Sequence, residues 1–457
     1  MSIYETIVHL TLIEKGWSGD KKYRAETADG SAFLLRLSPS PLAQRRQQEF
    51  LRTQQAARLG IPMCLPIEIG FSDDQIYTLL SWIEGDDAEQ VIGAYSPQQQ
   101  YRYGLTAGEI LKQIHSIPAP EGMEDWAVYF NRKIDRKIQS YENCSLRYEN
   151  GQILLDYILS HRHLLSNRPQ TYQHGDYHAG NMMITSHGEL VVIDFDKDSY
   201  GDPWEEFNRI VWSVRAAPAF ASGMVDGYFS FRVPEDFWSL LALYVATNTL
   251  GSLPWAIPFG EEEVATMRRQ AADVLSWFDQ FRQLVPSWYE RPPLPVSLRP
   301  IEPSDRDAII NLLTSEQVKQ TYMVPDFSSP AEAEPLFLRL VQLSHENGHF
   351  VRAICAGERV VGLLNDTEIS GTAAELGWAV DPRHQGHGYA GQAVRIAIQQ
   401  LFSRGFDRIT AGAFEDNRAS IRVMEKAGMT RTEALETIFY RGKDHVCVFY
   451  EIRKKMD

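Results

Sequence analysis

Gln173-His174-Gly175-Asp176-Tyr177-His178-Ala179-Gly180-Asn181, followed by Val191-Val192-Ile193-Asp194-Phe195-Asp196, decides how the larger part of this chain reads. Three polar residues stand there in a fixed order, each closing a short apolar run. Asp176 comes first, Asn181 five positions later, and Asp194 after a hairpin turning at Ser186-His187-Gly188-Glu189. Phosphoryl transfer needs a carboxylate beside the attacking hydroxyl and oxygen ligands for a Mg²⁺ ion that bridges nucleotide phosphates. One carboxylate plus two further oxygen donors at this spacing meets that need. The competing reading, a polar loop whose acids merely cap strands, leaves their shared order unexplained.

Upstream, the first ~90 residues read as strands plus one helix. Tyr23–Thr27 and Ala32–Leu37 flank Ala28-Asp29-Gly30-Ser31, a hairpin whose Asp-Gly pair suits positive φ. Ser40-Pro41 reads as an N-cap and first-turn proline, with Gly60 and Pro62 stopping the helix between them. Two more strands, Ile67–Phe71 and Ile76–Trp82, follow. From Ser96-Pro97 the pattern is mostly helical up to an amphipathic segment, Glu261–Leu284. Then Val285-Pro-Ser-Trp-Tyr-Glu-Arg-Pro-Pro-Leu-Pro295 places four prolines in eleven residues, an extended spacer. The expected division is residues 1–285 (a small lobe to about 85, a larger one from 86), a linker at 286–295, and a second domain at 296–457.

The second domain has its own signature. Glu375-Leu-Gly-Trp-Ala-Val380 reads as a strand, and Asp381-Pro-Arg-His-Gln-Gly-His-Gly-Tyr-Ala390 leads into a helix, Gly391–Arg404. A glycine-rich turn feeding a helix N-terminus offers free backbone N–H groups to a pyrophosphate. About thirty residues later, Asn417-Arg-Ala-Ser-Ile-Arg-Val-Met-Glu-Lys-Ala-Gly-Met429 gives a polar cap, a short helix and a glycine stop.

On His174-Gly175-Asp176, Asn181 and Asp194, residues 10–285 resemble the aminoglycoside phosphotransferase and choline kinase-like family. That resemblance implies a bilobal protein kinase-like fold, Asp176 as the catalytic Asp, and Asn181 and Asp194 as magnesium ligands. It makes Thr78–Glu84 the hinge that meets adenine, and 14–20, with Ser18, the nucleotide loop. Gly175 stands where protein kinases carry the Arg that grips an activation-loop phosphate. Arg36 occupies the place of the usual phosphate-binding Lys, with Glu49 on the following helix as its expected carboxylate partner. On Arg383-x-x-Gly386-x-Gly388 and Asn417, the second domain resembles the GNAT acyl-CoA N-acyltransferases, in the branch of the ribosomal-protein N-terminal acetyltransferases. That implies a mixed-sheet α/β fold and a CoA pyrophosphate loop of Arg383, Gln385, Gly386, His387, Gly388 and Tyr389. Asn417 would lie on the pantetheine side and Glu375 would be the base. Met424 fills the slot where many relatives carry an acid Tyr, with Tyr440 the possible substitute. His384 and His387 read as surface histidines.

Composition bounds the partners. The 457 residues include 45 basic and 60 acidic ones, a net charge of −15, which argues against nucleic-acid binding. Thr171–Val285 alone holds 16 acidic and 7 basic residues. Asp198, Asp202, Glu205, Glu206, Asp226, Glu235, Asp236 and Glu261–Glu263 are therefore candidates for drawing in a cationic acceptor. No uninterrupted apolar run reaches the ~18 residues of a membrane span. The four cysteines, 64, 144, 355 and 447, are too dispersed for a disulfide framework and fit a reducing cytosol. The expectation is an α/β (α+β) two-domain cytoplasmic transferase acting on small molecules, without nucleic-acid or membrane partners. One domain would use ATP (or GTP) and Mg²⁺ to phosphorylate a hydroxyl of an aminoglycoside-like acceptor; the other would use acetyl-CoA to acetylate an amine, together giving antibiotic resistance. The alternatives are an amino-alcohol or sugar kinase fused to a peptide or protein N-terminal acetyltransferase, and a nucleotide-binding domain regulating the acetyltransferase. Oligomeric state stays open.

Overall fold

A computed structural model describes every residue except Met1, 15–19, Pro293, Glu358 and 455–457. The chain forms two compact units, Met1–Pro292 and Pro293–Asp457.

In the first unit, β1 (Ile7–Ile13), β2 (Lys21–Thr27), β3 (Ala32–Pro39), β4 (Pro66–Ser72) and β5 (Gln75–Ser81) form an antiparallel sheet in the order β1-β2-β3-β5-β4. Ala25, Leu35, Tyr77 and Leu79 are its buried cluster. β1, absent from the sequence reading, is an edge strand with Val8, Leu10 and Leu12 exposed. In the β2–β3 hairpin only Gly30 takes positive φ (+85°); the Asp29 carboxylate accepts from Thr27 Oγ1 and Ser31 N instead. The helix after β3 runs Ala43–Ala57, and Ser40 does not cap it. A 3₁₀ turn, Ser40–Leu42, intervenes, and the Ser40 amide donates to the Asp74 carbonyl.

The larger lobe is built on helices. Pro97–Ile114 and Pro218–Phe229 cross backbone against backbone. A Cβ at Gly104 would stand 2.1 Å from the Phe220 carbonyl oxygen, and one at Gly227 2.1 Å from that of Leu105. Gly108 and Gly223 repeat the constraint. Only residues without a Cβ allow such an approach. The helix Glu235–Ala256 runs through the core; with its 3₁₀ extension to Phe259 it is long and apolar enough to cross a membrane, but its apolar window is 67% buried within the protein. Thr247, Asn248 and Thr249 interrupt the run, which hides it from a search for unbroken apolar stretches. The segment expected as one helix to Leu284 ends at Trp277, where Asp279, Gln280 and Phe281 turn to positive φ.

The proline-rich segment is not a free spacer along its length. Trp288 is buried, its carbonyl accepts from Ser222 Oγ, and Tyr289 packs on Trp238 at 4.6 Å. Arg291 grips the fully buried Asp226 through two bonds of 2.7 and 2.6 Å, beside Tyr101 and Tyr289 hydroxyls. The first unit therefore closes at Pro292 and not near Val285. On the other side, the Pro295 carbonyl accepts from Gly357 N in the second unit.

The second unit carries one seven-stranded sheet. After β6–β10 of the larger lobe (Gly85–Asp87, Thr171–Gln173, Met182–Thr185, Leu190–Val192, Ser199–Gly201), its strands are β11 (Val296–Arg299), β12 (Arg352–Ala356), β13 (Arg359–Ser370), β14 (Ala373–Val380), β15 (Arg408–Phe414), β16 (Thr430–Tyr440) and β17 (Lys443–Arg453). Their order is β11-β12-β13-β14-β15-β17-β16. All pairs are antiparallel except β14–β15, which pair in parallel only at Ala373/Arg408, Ala374/Ile409 and Glu375/Thr410. β14 continues to Val380 and β15 to Phe414, so the two strands part at Glu375 and leave a fork.

Removing Arg291 strips the buried Asp226 of its only ion-pair partner among the described residues. Arg291→Ala should destabilise the first unit by roughly 3 kcal/mol. A chain ending at Ser287 should unfold at a lower temperature than one ending at Pro292, as read by circular dichroism melts.

Candidate active sites

The loop bearing Asp176 is held from below. Gly175 takes φ +85°, and a Cβ there would stand 1.9 Å from the Lys197 carbonyl oxygen. No other residue fits. Glu206, itself buried, accepts N–H bonds from Gly175 (3.0 and 3.1 Å) and Tyr177 (3.3 Å) and lies 3.8 Å from His115 Nε2. Burial alone would raise its pKa, but the neighbouring His115 and His174 rings and the Gly175 amide lower it on balance. His174 Nε2 donates to the Ile193 carbonyl at 2.9 Å, and Ile193 N donates to the Asn181 carbonyl at 3.0 Å. Those bonds join the Asp176 loop, Asn181 and the strand leading to Asp194 into one assembly.

Asp176 is paired with Lys197 (2.7 Å) and Arg209 (3.2 Å), with the His178 imidazole 3.7 Å away. Burial pushes its pKa up, but His178, Arg209 and Lys197 hold it well below the usual carboxylate range. It is therefore ionised at any working pH and able to accept a hydrogen bond from a hydroxyl. Asn181 Nδ2 donates to the Asp176 carbonyl at 2.8 Å, which leaves Oδ1 as the atom able to accept or to face a cation. Asp194 takes φ +66°, a conformation costly outside glycine that Asp tolerates better than most. Its carboxylate meets Lys22 Nζ at 3.2 Å and Arg36 Nη1 at 3.5 Å; these two charges outweigh burial and lower its pKa. Among the described residues no group of three or more His, Cys, Asp or Glu makes a metal cage. One carboxylate and one amide oxygen suit Mg²⁺, which commonly completes its shell with water and phosphate oxygens.

Arg36 and Glu49 are not partners. The Arg36 guanidinium bonds Asp20 (2.8 Å) and Asp196 (2.9 Å) besides Asp194. Glu49 pairs with Arg45 (2.7 Å) and Arg46 (2.6 Å), and Arg46 in turn bonds Asp20 at 2.6 Å. Sequence spacing on the helix could not reveal this, because Asp20 precedes β2 and Asp194 and Asp196 lie 158 and 160 residues from Arg36 along the chain. Ser18 and most of the expected nucleotide loop lie outside the described residues. Thr78–Ser81 close β5, and Trp82–Glu84 lead into β6.

The acidic residues expected to attract a cation are largely committed inside the protein. Asp198 bonds Arg52 (2.6 and 2.8 Å) and Tyr172; Asp202 bonds Arg168 (2.7 and 3.0 Å) and Tyr244; Glu205 bonds Lys133 at 2.9 Å. Glu206 and Asp226 are engaged as described. Glu235, Asp236 and Glu261–Glu263 occupy the first turns of helices, where the helix dipole favours them. The side chains beside Asp176 are cations instead.

In the second unit, Glu375 sits at the fork of β14 and β15. Burial raises its pKa; Thr367 offsets part of this, and the Glu368 and Glu436 charges add to the rise. A carboxyl raised in this way suits proton abstraction from an amine. Beyond β14, Gly386 (φ +84°) and Gly388 (φ +77°) shape the turn, and a Cβ at either would meet open space. Glycine is needed there for its backbone angle and not for room. Gln385 anchors the turn through Nε2 to the Val380 carbonyl at 2.9 Å, while Gly388 is the N-cap residue of the helix Tyr389–Ser403. His387 is half-buried and Tyr389 buried. Arg383 is clamped by Asp381, with Nε 2.9 and 3.0 Å from its two oxygens, so the guanidinium stabilises the turn itself. His384 is buried, not a surface residue, and burial draws its pKa down to about 4. Asn417 caps the helix Arg418–Lys426, accepting from Ser420 N at 3.1 Å. Tyr440 donates to the Val324 carbonyl at 3.2 Å, and Met424 is buried.

A family model described as the phosphotransferase enzyme family matches residues 9–244, and one described as the acetyltransferase (GNAT) domain matches 296–430. The uncharacterized N-acetyltransferase YoaA of Bacillus subtilis (strain 168) is 26% identical over 157 residues, covering 32% of this chain and 85% of YoaA. The probable N-acetyltransferase YjcK of the same organism is 32% identical over 87 residues, 18% of this chain and 48% of YjcK. Among solved structures, a thermostable mutant of aminoglycoside phosphotransferase APH(4)-Ia superposes with a TM-score of 0.44 at 16% identity, covering 60% of this chain and 95% of that one. The ribosomal L7/L12 alpha-N-protein acetyltransferase RimL with coenzyme A does so with a TM-score of 0.32 at 22% identity, covering 35% and 93%.

Two outcomes follow from the geometry. Gly175→Ala should abolish phosphoryl transfer and lower the unfolding temperature, because backbone must move to admit the methyl group. Acetyl transfer should fall as pH drops through a pKa above the ordinary glutamate value, since the ionised base is lost there; Glu375→Gln should lower the rate and flatten that limb of the profile.

Proposed function

Because the chain belongs to the phosphotransferase enzyme family and carries a GNAT acetyltransferase domain behind it, we propose that it is a two-activity transferase. The first unit phosphorylates a hydroxyl of a small acceptor with ATP and Mg²⁺; the second acetylates an amine with acetyl-CoA. The observation that carries the first activity is the Asp176–Asn181–Asp194 assembly fixed by Glu206 and Gly175. For the second it is Glu375 at the strand fork beside the Gly386–Gly388 turn.

Bound MgATP supplies the phosphoryl group and neutralises its charge. Asp194 and the Asn181 amide oxygen are the donors that would hold the metal. Asp176, kept ionised by Lys197 and Arg209, accepts the hydrogen bond of the incoming hydroxyl and orients its oxygen. In the second unit Glu375 takes the proton from the amine, and the backbone N–H groups of the glycine turn would hold the anionic end of the cofactor.

The acceptor is read as an amino-alcohol or sugar and not as a polycation. Lys197 and Arg209 beside Asp176, and the internal pairing of the acidic residues, support this over an aminoglycoside. A cytoplasmic setting fits the four free cysteines.

Magnesium-dependent ATP turnover measured against panels of amino-alcohols, sugars and aminoglycosides tests both parts of this reading. Turnover stimulated by an aminoglycoside alone would restore the polycation. Asp176→Asn should lower kcat by about 10²–10⁴-fold while MgATP still binds. Near-parental turnover in that variant would remove Asp176 from the reaction.

A further inference from the structure

We propose that Lys22, on β2, is the residue that binds the nucleotide phosphates, in place of a lysine on β3. The inference rests on the reading of the first unit as an ATP-dependent phosphotransferase. Lys22 and Arg36 are direct partners in the β2–β3 ladder. Residues opposite one another in an antiparallel pair project from the same face with Cβ atoms about 4.5–5.5 Å apart. Both side chains accordingly reach the same carboxylate, Lys22 at Asp194 Oδ2 and Arg36 at Oδ1.

Their surroundings differ. Arg36 is buried, and one of its terminal nitrogens is shared between Asp20 and Asp196 while the other faces Asp194. Its Nε is buried with no hydrogen-bond partner among the described residues. Three carboxylates surround one guanidinium, so its charge is already balanced. Arg36 thus acts as a positioning residue that ties β3 to the Asp194–Asp196 segment. Asp20 is further held by Arg46 and by Ser38 Oγ at 2.7 Å, which locks the cluster in place.

Lys22 has one ion pair among the described residues, the 3.2 Å contact with Asp194. An ammonium carries three donors on a flexible stem and acts as a compact point charge. Were Asp194 to hold a divalent cation, its oxygens would be shared with that cation and the Lys22 ammonium would be available to nucleotide phosphates. Lys22 has one carboxylate to give up there, whereas Arg36 is bound to three.

The test uses the full chain and reads binding as well as rate. Titration calorimetry with MgATP and, separately, adenosine is compared for the parent, Lys22→Met, Lys22→Arg and Arg36→Lys. Lys22→Met should weaken MgATP binding tenfold or more and leave adenosine affinity and the unfolding temperature unchanged. Lys22→Arg should recover most of the lost affinity. Arg36→Lys should lower the unfolding temperature, because one ammonium cannot span three carboxylates. If the parent binds MgATP and Lys22→Met binds it equally well, the assignment of Lys22 is overturned while the phosphotransferase reading stands. If the parent itself does not bind MgATP, both fall together.

Discussion

Burying a carboxylate is costly unless it is ionically paired and hydrogen-bonded, and Glu206 is the buried carboxylate on which the first unit's site depends. It collects the amides of Gly175 and Tyr177, which no regular secondary structure satisfies at that point, and so fixes the backbone on either side of Asp176. His115 completes the arrangement from the helix Pro97–Ile114. The glycine-lined crossing of that helix with Pro218–Phe229 leaves it little freedom to shift. The loop is therefore rigid because of what lies behind it, and the polar face it presents is set by packing several residues away.

Pairing of buried charge runs through the whole larger lobe. Asp198, Asp202 and Asp226 each hold an Arg through two bonds, with a Tyr hydroxyl on the same carboxylate. Net negative charge in this segment thus gives little information about the field in the cleft. Charge counted along the sequence and charge felt by a ligand are separate quantities when acids serve as internal struts. Two cations, Lys197 and Arg209, and the His178 imidazole face the candidate catalytic Asp176.

The parts legible in the sequence were those written locally. Asp176, Asn181 and Asp194 come together because a short loop and one hairpin separate them, and Gly386 and Gly388 take positive φ because the turn before the helix needs it. What sequence reasoning missed depends on residues far apart along the chain. Arg36 finds Asp196 at a separation of 160 residues, and no helical periodicity could have favoured it over Glu49. Glu206 looked like one more acid in an acidic stretch; only its burial distinguishes it. The proline-rich segment misled for another reason: proline excludes helix but does not prevent docking, and Trp288, Tyr289 and Arg291 carry the docking contacts.

That docking sets an order of events during synthesis. Arg291 is made 65 residues after Asp226, the carboxylate it neutralises. At about 5–20 residues per second the interval is roughly 3–13 s. Throughout it, the helix Pro218–Phe229 carries a carboxylate whose burial is not yet compensated, and the glycine-lined crossing cannot close at full stability. Arg291 can reach Asp226 only after it has left the ribosome, when synthesis of the second unit is already under way. A nascent chain stalled short of Arg291 would present an unfinished core, so the first unit becomes resistant to proteolysis only once translation has passed its own C-terminal boundary.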